Sequence, residues 1–338
     1  MFLHAPGWSC AIAVVSLLLG CRDSEPAVAF KDLRNENAQE RADAASRLGQ
    51  ARATEAVGSL VAVLDDPDET VRVTAIRALG QIGDRQAVPA LVRGADDPLA
   101  SVRLALCQAL GQLGDPAAIP TLTRLLHDPD ETIRLGAARA LGKMDRGAGD
   151  RTLLTAALRD RSETVRRHAR KVLAERGARE VLPELTSALA GNEEEVRARA
   201  AQVLAELGDA AAVPALLRAV DDPAAAVRAT AAQALGRTAP GDPAVAAALS
   251  RRLAIERDPL CQVDLAWNLA KTGDRSGLAR IRERLRDGNS EAVRAEAAMA
   301  LGEVGDKTDI ALLHRALDGG TGLVRKQASL AVQKLEKT

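Results

Sequence analysis

The chain holds four histidines, His4, His127, His168 and His314, and four cysteines, Cys10, Cys21, Cys107 and Cys261. Both residue types ligate metals and act in nucleophilic or acid–base catalysis, and their spacing decides whether they can. Here the histidines are scattered along the chain, with no HExxH pair, no His-Glu pairs, no Cys/His cluster and no EF-hand loop. A serine nucleophile needs a positioned base, and no Gly-x-Ser-x-Gly elbow occurs. The recurrent LGxxGD has phosphate-loop glycines but follows a helix pattern and lacks the Walker lysine, so it reads as a turn. Carboxylates are abundant but sit where helix starts account for them. These patterns point to no catalytic residue, no metal site and no cofactor, and the chain reads as a non-enzyme.

Cys21 is the cysteine with a distinctive setting. It ends the apolar run AIAVVSLLLGC, Ala11 to Cys21, too short for a mature membrane span, which takes about 20 apolar residues. The run suits the apolar region of an export signal. Leu18-Leu19-Gly20-Cys21 resembles the bacterial lipobox, which implies cleavage after Gly20 and a lipid on the Cys21 thiol. The residues ahead of the run contain no Lys or Arg, unlike most such signals, so an ordinary cleaved signal and an uncleaved anchor stay open. This reading divides the chain into a signal at 1–20, a lipidated cysteine with a polar tether at 21–29, and a body at 30–338. From Arg22 to Ala29 the tether would reach at most about 28 Å. The expected location is the bacterial cell envelope, with export followed by membrane anchoring. Cys107 and Cys261 stand too many repeats apart to form a disulfide.

What must position any functional residue is a repeat. DDPDETVRVTAIRALGQIGD at 65–84 returns as DDPLASVRLALCQALGQLGD at 96–115 and as DDPAAAVRATAAQALG at 221–236. The arginine of its Val-Arg pair falls at Arg41, Arg72, Arg103, Arg134, Arg166, Arg197 and Arg228, then at Arg294 and Arg325. Fixed spacing near 31 residues marks a solenoid, in which each unit buries its apolar face against its neighbours. Val71, Ala75, Ala78, Leu79 and Ile82 recur at helical spacing. Asp66, Pro67 and Glu69 supply a helix start, and Gly83-Asp84 ends that helix and caps the next, which runs through Val88, Leu91 and Val92. The fold class is all-α: an α-solenoid of about nine antiparallel helix pairs plus an N-terminal helix.

At these residues the chain resembles HEAT repeats, especially the short bacterial type of the phycobilin lyases. A proline, an aspartate eight residues on and Val-Arg recur as Pro89, Asp97, Val102 and Arg103, as Pro120, Asp128, Ile133 and Arg134, and as Pro214, Asp222, Val227 and Arg228. The resemblance covers about residues 30–336 and implies an internal ladder of Asp–Arg hydrogen bonds. Asp66 with Arg72, Asp97 with Arg103, Asp128 with Arg134 and Asp222 with Arg228 are its expected members, each aspartate lying six residues before its arginine. A basic binding stripe is the competing reading of these arginines, and the architectural one is preferred.

Three segments break the pattern. DRGAGD at 145–150 and TAPGDP at 238–243 read either as hinges or as loop drift, which solenoids tolerate. LCQVDLAWNLAKTGD at 260–274 replaces the ladder arginine by Gln262 and a core alanine by Asn268. It also puts Trp267 in a column that otherwise reads Arg77, Gln108, Arg139, Lys171, Gln202 and Gln233, and that continues as Met299 and Leu330. In HEAT arrays this helix lines the concave surface. Val263, Trp267, Met299 and Leu330 are therefore the candidate partner-docking strip, provided that local tightening of the stack does not bury them. A lesser strip is Val73, Leu104 and Leu135.

Composition narrows the partners. Lys plus Arg balances Asp plus Glu at 46 each, which gives no electrostatic reason to expect nucleic acid. Aromatic residues are 1%, against a deep ligand pocket, so no small-molecule substrate is expected. The reading is a membrane-tethered interaction scaffold for a protein or peptide; the alternative is a chromophore-lyase-like or other enzyme-associated HEAT protein.

Overall fold

The computed structural model describes residues 25–145, 147–288 and 290–337. Cys21 and the export-signal reading lie outside the described residues. Among those residues there are 20 α-helices and no strand, and from Glu25–Asp32 to Gly322–Lys337 they form ten pairs, the first helix the shorter in all but Pro243–Ile255 with Pro259–Lys271, 13 residues each. That is one helix more than expected. The addition is Glu25–Asp32, which takes up the end of the segment read as tether: Ala29 and Leu33 are buried, and the helix packs on Ala38–Gln50. An alanine and a leucine placed to reach the next helix gain more from burial than from a solvated linker.

The chain forms two compact units. One consists of residues up to Ala156 with Ser162–Ala169, the other of Ala157–Arg161 with Arg170 onward. Within the first, the long helices Ala38–Gln50, Glu69–Ile82, Ala100–Leu113 and Glu131–Leu141 pack side by side in chain order. Within the second, Glu194–Leu207, Ala225–Thr238, Pro259–Lys271, Glu291–Val304 and Gly322–Lys337 do the same. The short helices cover one side of each row, and the buried leucines and valines lie between the two layers.

Local chemistry sets the helix ends. Asp68, not Asp66, caps Glu69–Ile82, accepting the Thr70 and Val71 amides at 2.8 and 3.3 Å. Gly83 closes that helix at φ 83°, a left-handed conformation costly for other residues, and Asp84 then caps the following turn. A second glycine has another task. A methyl group placed on Gly111 would lie 2.8 Å from the Ala140 Cα, and one on Gly302 the same distance from the Ala331 Cα. The recurrent Ala-Leu-Gly thus lets neighbouring long helices approach to backbone contact.

The ladder runs between repeats. Arg72 Nε donates to Asp97 at 3.0 Å, and its Nη1 donates to the Asp66 backbone carbonyl at 2.7 Å. The Asp66 carboxylate instead accepts Arg41, through Nε and Nη2, both at 2.8 Å. Arg103 repeats the pattern with Asp128 and the Asp97 carbonyl, and Arg197 donates to Asp222. This corrects the expected pairing of each arginine with the carboxylate six residues before it. The carboxylate is turned toward the preceding repeat because its Oδ1 also accepts an amide two residues on, Asp68 in the case of Asp66. Arg134 is buried and holds the Asp128 and Pro129 carbonyls in the same manner. Arg41, Arg72, Arg103 and Arg197 therefore each tie their own loop to the next, and charge-assisted hydrogen bonds of this kind are the strong ones.

Candidate functional site

In the second unit the ladder changes composition where the repeat does. Glu256 stands in for the aspartate and accepts Arg228 Nε and Nη2, each at 2.7 Å, and Arg252 Nε at 3.1 Å. The backbone amides of Arg257 and Asp258 add two bonds at 2.9 Å. Burial opposes ionisation of Glu256, but these donors outweigh it and hold the carboxyl down at about 2. Gln262 keeps half of the missing arginine's work: its Nε2 donates to the Glu256 carbonyl at 2.6 Å, while its Oε1 accepts Arg284 Nε at 2.7 Å. Cys261 lies against Glu256 with its sulfur 3.5 Å from the carboxylate, and burial pushes its thiol up to about 12. Such a thiol is inert. The two turn segments at 145–150 and 238–243 hold Gly147 at φ 107° and Gly241 at φ 82°, and Asp242 caps the helix that follows.

Past this junction the long helices present an altered face. In the column of Arg77, Gln108, Arg139, Lys171, Gln202 and Gln233 all six side chains are exposed. Trp267 is then buried, at 8% exposure, Met299 is half-buried and Leu330 is exposed at 49%. Val263 is fully buried. The expected exposed strip of Val263, Trp267, Met299 and Leu330 is thus not continuous. Every residue from Cys261 to Leu269 is buried, because Pro259–Lys271 packs closely between Ala225–Thr238 and Glu291–Val304. Asn268 marks how closely: it fills the space over Gly236, and its Nδ2 donates to the Asp264 carbonyl at 2.8 Å. Trp267 joins the apolar cluster that Met299 also packs against, and Lys271 Nζ lies 4.2 Å above its ring. Val73, Leu104 and Leu135, the lesser strip, are half-buried.

Chemistry that the sequence reading missed lies three residues before the tryptophan. Asp264 is 5% exposed and accepts one side-chain hydrogen bond, from Gln233 Nε2 at 2.9 Å. Burial raises its pKa, with the Gln233 bond only partly offsetting this. Glu296, at the same register on the next long helix, is half-buried and is raised to about 6, first by burial and then by the negative charges of Asp264 and Glu303. Glu303 is satisfied by Lys271 at 3.2 Å and Lys334 at 3.8 Å. The Trp267 indole nitrogen is buried with no hydrogen-bond partner. A column reading two residues after the ladder position would have found the acids: it runs Thr74, Ala105, Gly136, His168, Arg199 and Thr230 before reaching Asp264 and Glu296. Among the described residues no group of three His, Cys, Asp or Glu side chains is placed to hold a metal.

HEAT repeats match residues 27–102, 93–174, 182–270 and 256–333, and the chain belongs to the HEAT-repeat family. The fold is that of an α-solenoid. It is similar to the karyopherin Kap121p bound to the extreme C-terminus of the protein phosphatase Cdc14p, at 14% identity and TM-score 0.69, over 98% of this chain and 43% of that one. Kap121p bound to the SUMO protease Ulp1p gives the same TM-score at 13% identity, again over 98% of this chain and 43% of that one. The chain therefore spans less than half of the karyopherin. The complex of CpcE and CpcF of phycocyanin lyase from Nostoc sp. PCC7120 aligns at 24% identity and TM-score 0.41, over 75% of this chain and 96% of that one. No curated protein matches the sequence.

Proposed function

We propose that the protein is a non-enzymatic scaffold that binds a protein or peptide partner on the long-helix face of its second unit. The observation carrying this reading is the change along one column from six exposed polar side chains to Trp267, Met299 and Leu330, beside the buried Asp264 and half-buried Glu296, whose carboxyls burial raises. A patch that is apolar at its centre and rimmed by charge is the usual form of a contact surface. Membership of a repeat family whose structural relatives carry bound protein segments supports it. The Leu18-Leu19-Gly20-Cys21 segment extends the proposal to a lipid tether at the bacterial envelope.

Two measurements test the reading. Cross-linking capture from envelope extract would compare the wild type with a Met299→Ala, Leu330→Ala variant of equal helicity. A partner retained by the wild type and lost by the variant supports it, and identical captures remove this face from consideration. For the tether, labelling in cells with an alkyne analogue of palmitate should mark the wild type and not Cys21→Ser; equal labelling excludes lipidation at Cys21.

A further inference from the structure

Asp264 and Glu296 raise a problem of charge. Both carboxyls lose water on folding; of cations, Asp264 gains only the attraction of Lys271, too weak to offset its burial, and Glu296 gains none. Lys271, on the same helix as Asp264, and Lys334, on Gly322–Lys337, are both drawn to Glu303. Asp258 adds further negative charge near Asp264. In the ladder, by contrast, the enclosed carboxylates of Asp66, Asp128, Asp222 and Glu256 are each neutralised by an arginine. The second orphan is of opposite kind: the Trp267 nitrogen is a buried donor with no acceptor, one helical turn beyond Asp264 on the same face. Leaving such groups unsatisfied costs stability, and a ligand that satisfies them recovers it on binding.

We propose that Asp264, Glu296 and Trp267 form a receptor for an arginine side chain of the partner peptide, a reading that rests on the scaffold function above. The two acids stand on neighbouring helices, whose axes in packed pairs are about 8–10 Å apart. A guanidinium carries donors on several edges and bridges two carboxylates, whereas an ammonium is a compact point charge. The arginine's own backbone carbonyl is the acceptor for Trp267 Nε1, so a residue of a peptide chain satisfies all three groups where a free cation satisfies two. Met299, half-buried beside them, is flexible enough to move aside for the incoming side chain. Since Glu296 binds as a carboxylate, protons compete with the ligand, and affinity falls as the pH drops through about 6.

The test uses the full chain with Trp8→Phe, so that fluorescence reports Trp267 alone, titrated with a blocked glycine pentapeptide carrying one central arginine. The expected result is saturable binding, weakened at least about tenfold when citrulline replaces arginine, a loss of roughly one charged hydrogen-bonded pair. Asp264→Asn and Glu296→Gln should each weaken it similarly with unchanged circular dichroism. Trp267→Phe, followed by calorimetry, should weaken it less. Equal binding of the citrulline peptide, indifference to both acid substitutions, or no binding at millimolar peptide each overturns the proposal. If the arginine peptide fails while envelope capture still depends on Met299 and Leu330, the arginine receptor falls and the scaffold stands.

Discussion

Replacing Glu256 by Gln removes one charge from an ion pair of the ladder more enclosed than those of Asp66, Asp97, Asp128 and Asp222, and leaves the side chain's shape in place. Arg228 and Glu256 are 8% and 1% exposed at their side chains, so solvent screens them little. Two estimates of the cost agree. A carboxyl held at about 2 rather than 4.5 contributes, at about 1.4 kcal/mol per pH unit, about 3 kcal/mol of stability at neutral pH. Breaking a buried pair while leaving the other charge in place costs roughly 3–5 kcal/mol. The lowered carboxyl also fixes the sign of the pH dependence. Its contribution is complete above the ordinary value of 4.5 and is lost as the pH falls toward about 2. Urea unfolding followed by circular dichroism should therefore place Glu256→Gln about 3 kcal/mol below wild type at neutral pH, with the gap closing in acid. An Arg228→Met, Glu256→Leu double variant should lose less, because the enclosed Arg228 charge is not stranded and Arg252, the other donor, is 18% exposed and reaches water. A Glu256→Gln protein within about 0.5 kcal/mol of wild type, or a gap that persists unchanged in acid, would refute this account of the ladder.

Gly111→Ala is expected to destabilise by about 1–3 kcal/mol in thermal unfolding, since the new methyl meets the Ala140 Cα at 2.8 Å; an isolated helix would instead gain about 1 kcal/mol from the same change. Arg294 Nε is buried without an acceptor, and the residue 25 positions on, where Arg41, Arg72, Arg103 and Arg197 find their carboxylate, is Gly319. Gly319→Asp should restore the missing acceptor and raise Tm by roughly 2–4 °C, and an unchanged or lower Tm counts against the 25-residue rule. Cys107 and Cys261, both buried and both pushed up to about 12, should resist an aromatic disulfide reagent in the native protein and react on unfolding. Fast labelling of either in the native state would contradict their burial.

The solenoid was legible from the 31-residue spacing because each repeat carries its whole local instruction: a capping aspartate, an apolar stripe at helical period and a terminal glycine. The break at 260–274 was legible for the same reason, as a departure from that instruction. What those substitutions do was not. Asp66 and Arg72 sit six residues apart, yet the carboxylate serves Arg41, because a turn within its own loop orients it toward the preceding repeat. Trp267 belongs to a column of exposed residues, yet it is covered, because the spacing between neighbouring helices sets burial and no single helix encodes that spacing. Asp264 and Glu296, 32 residues apart and alike in type to many surface acids, share a register on adjacent helices. The sequence by itself determined the helices and the repeat, which depend on near neighbours in the chain. The tertiary structure decided which charges meet and which are left without a partner, since electrostatic pairing depends on distance and solvent exclusion across repeats.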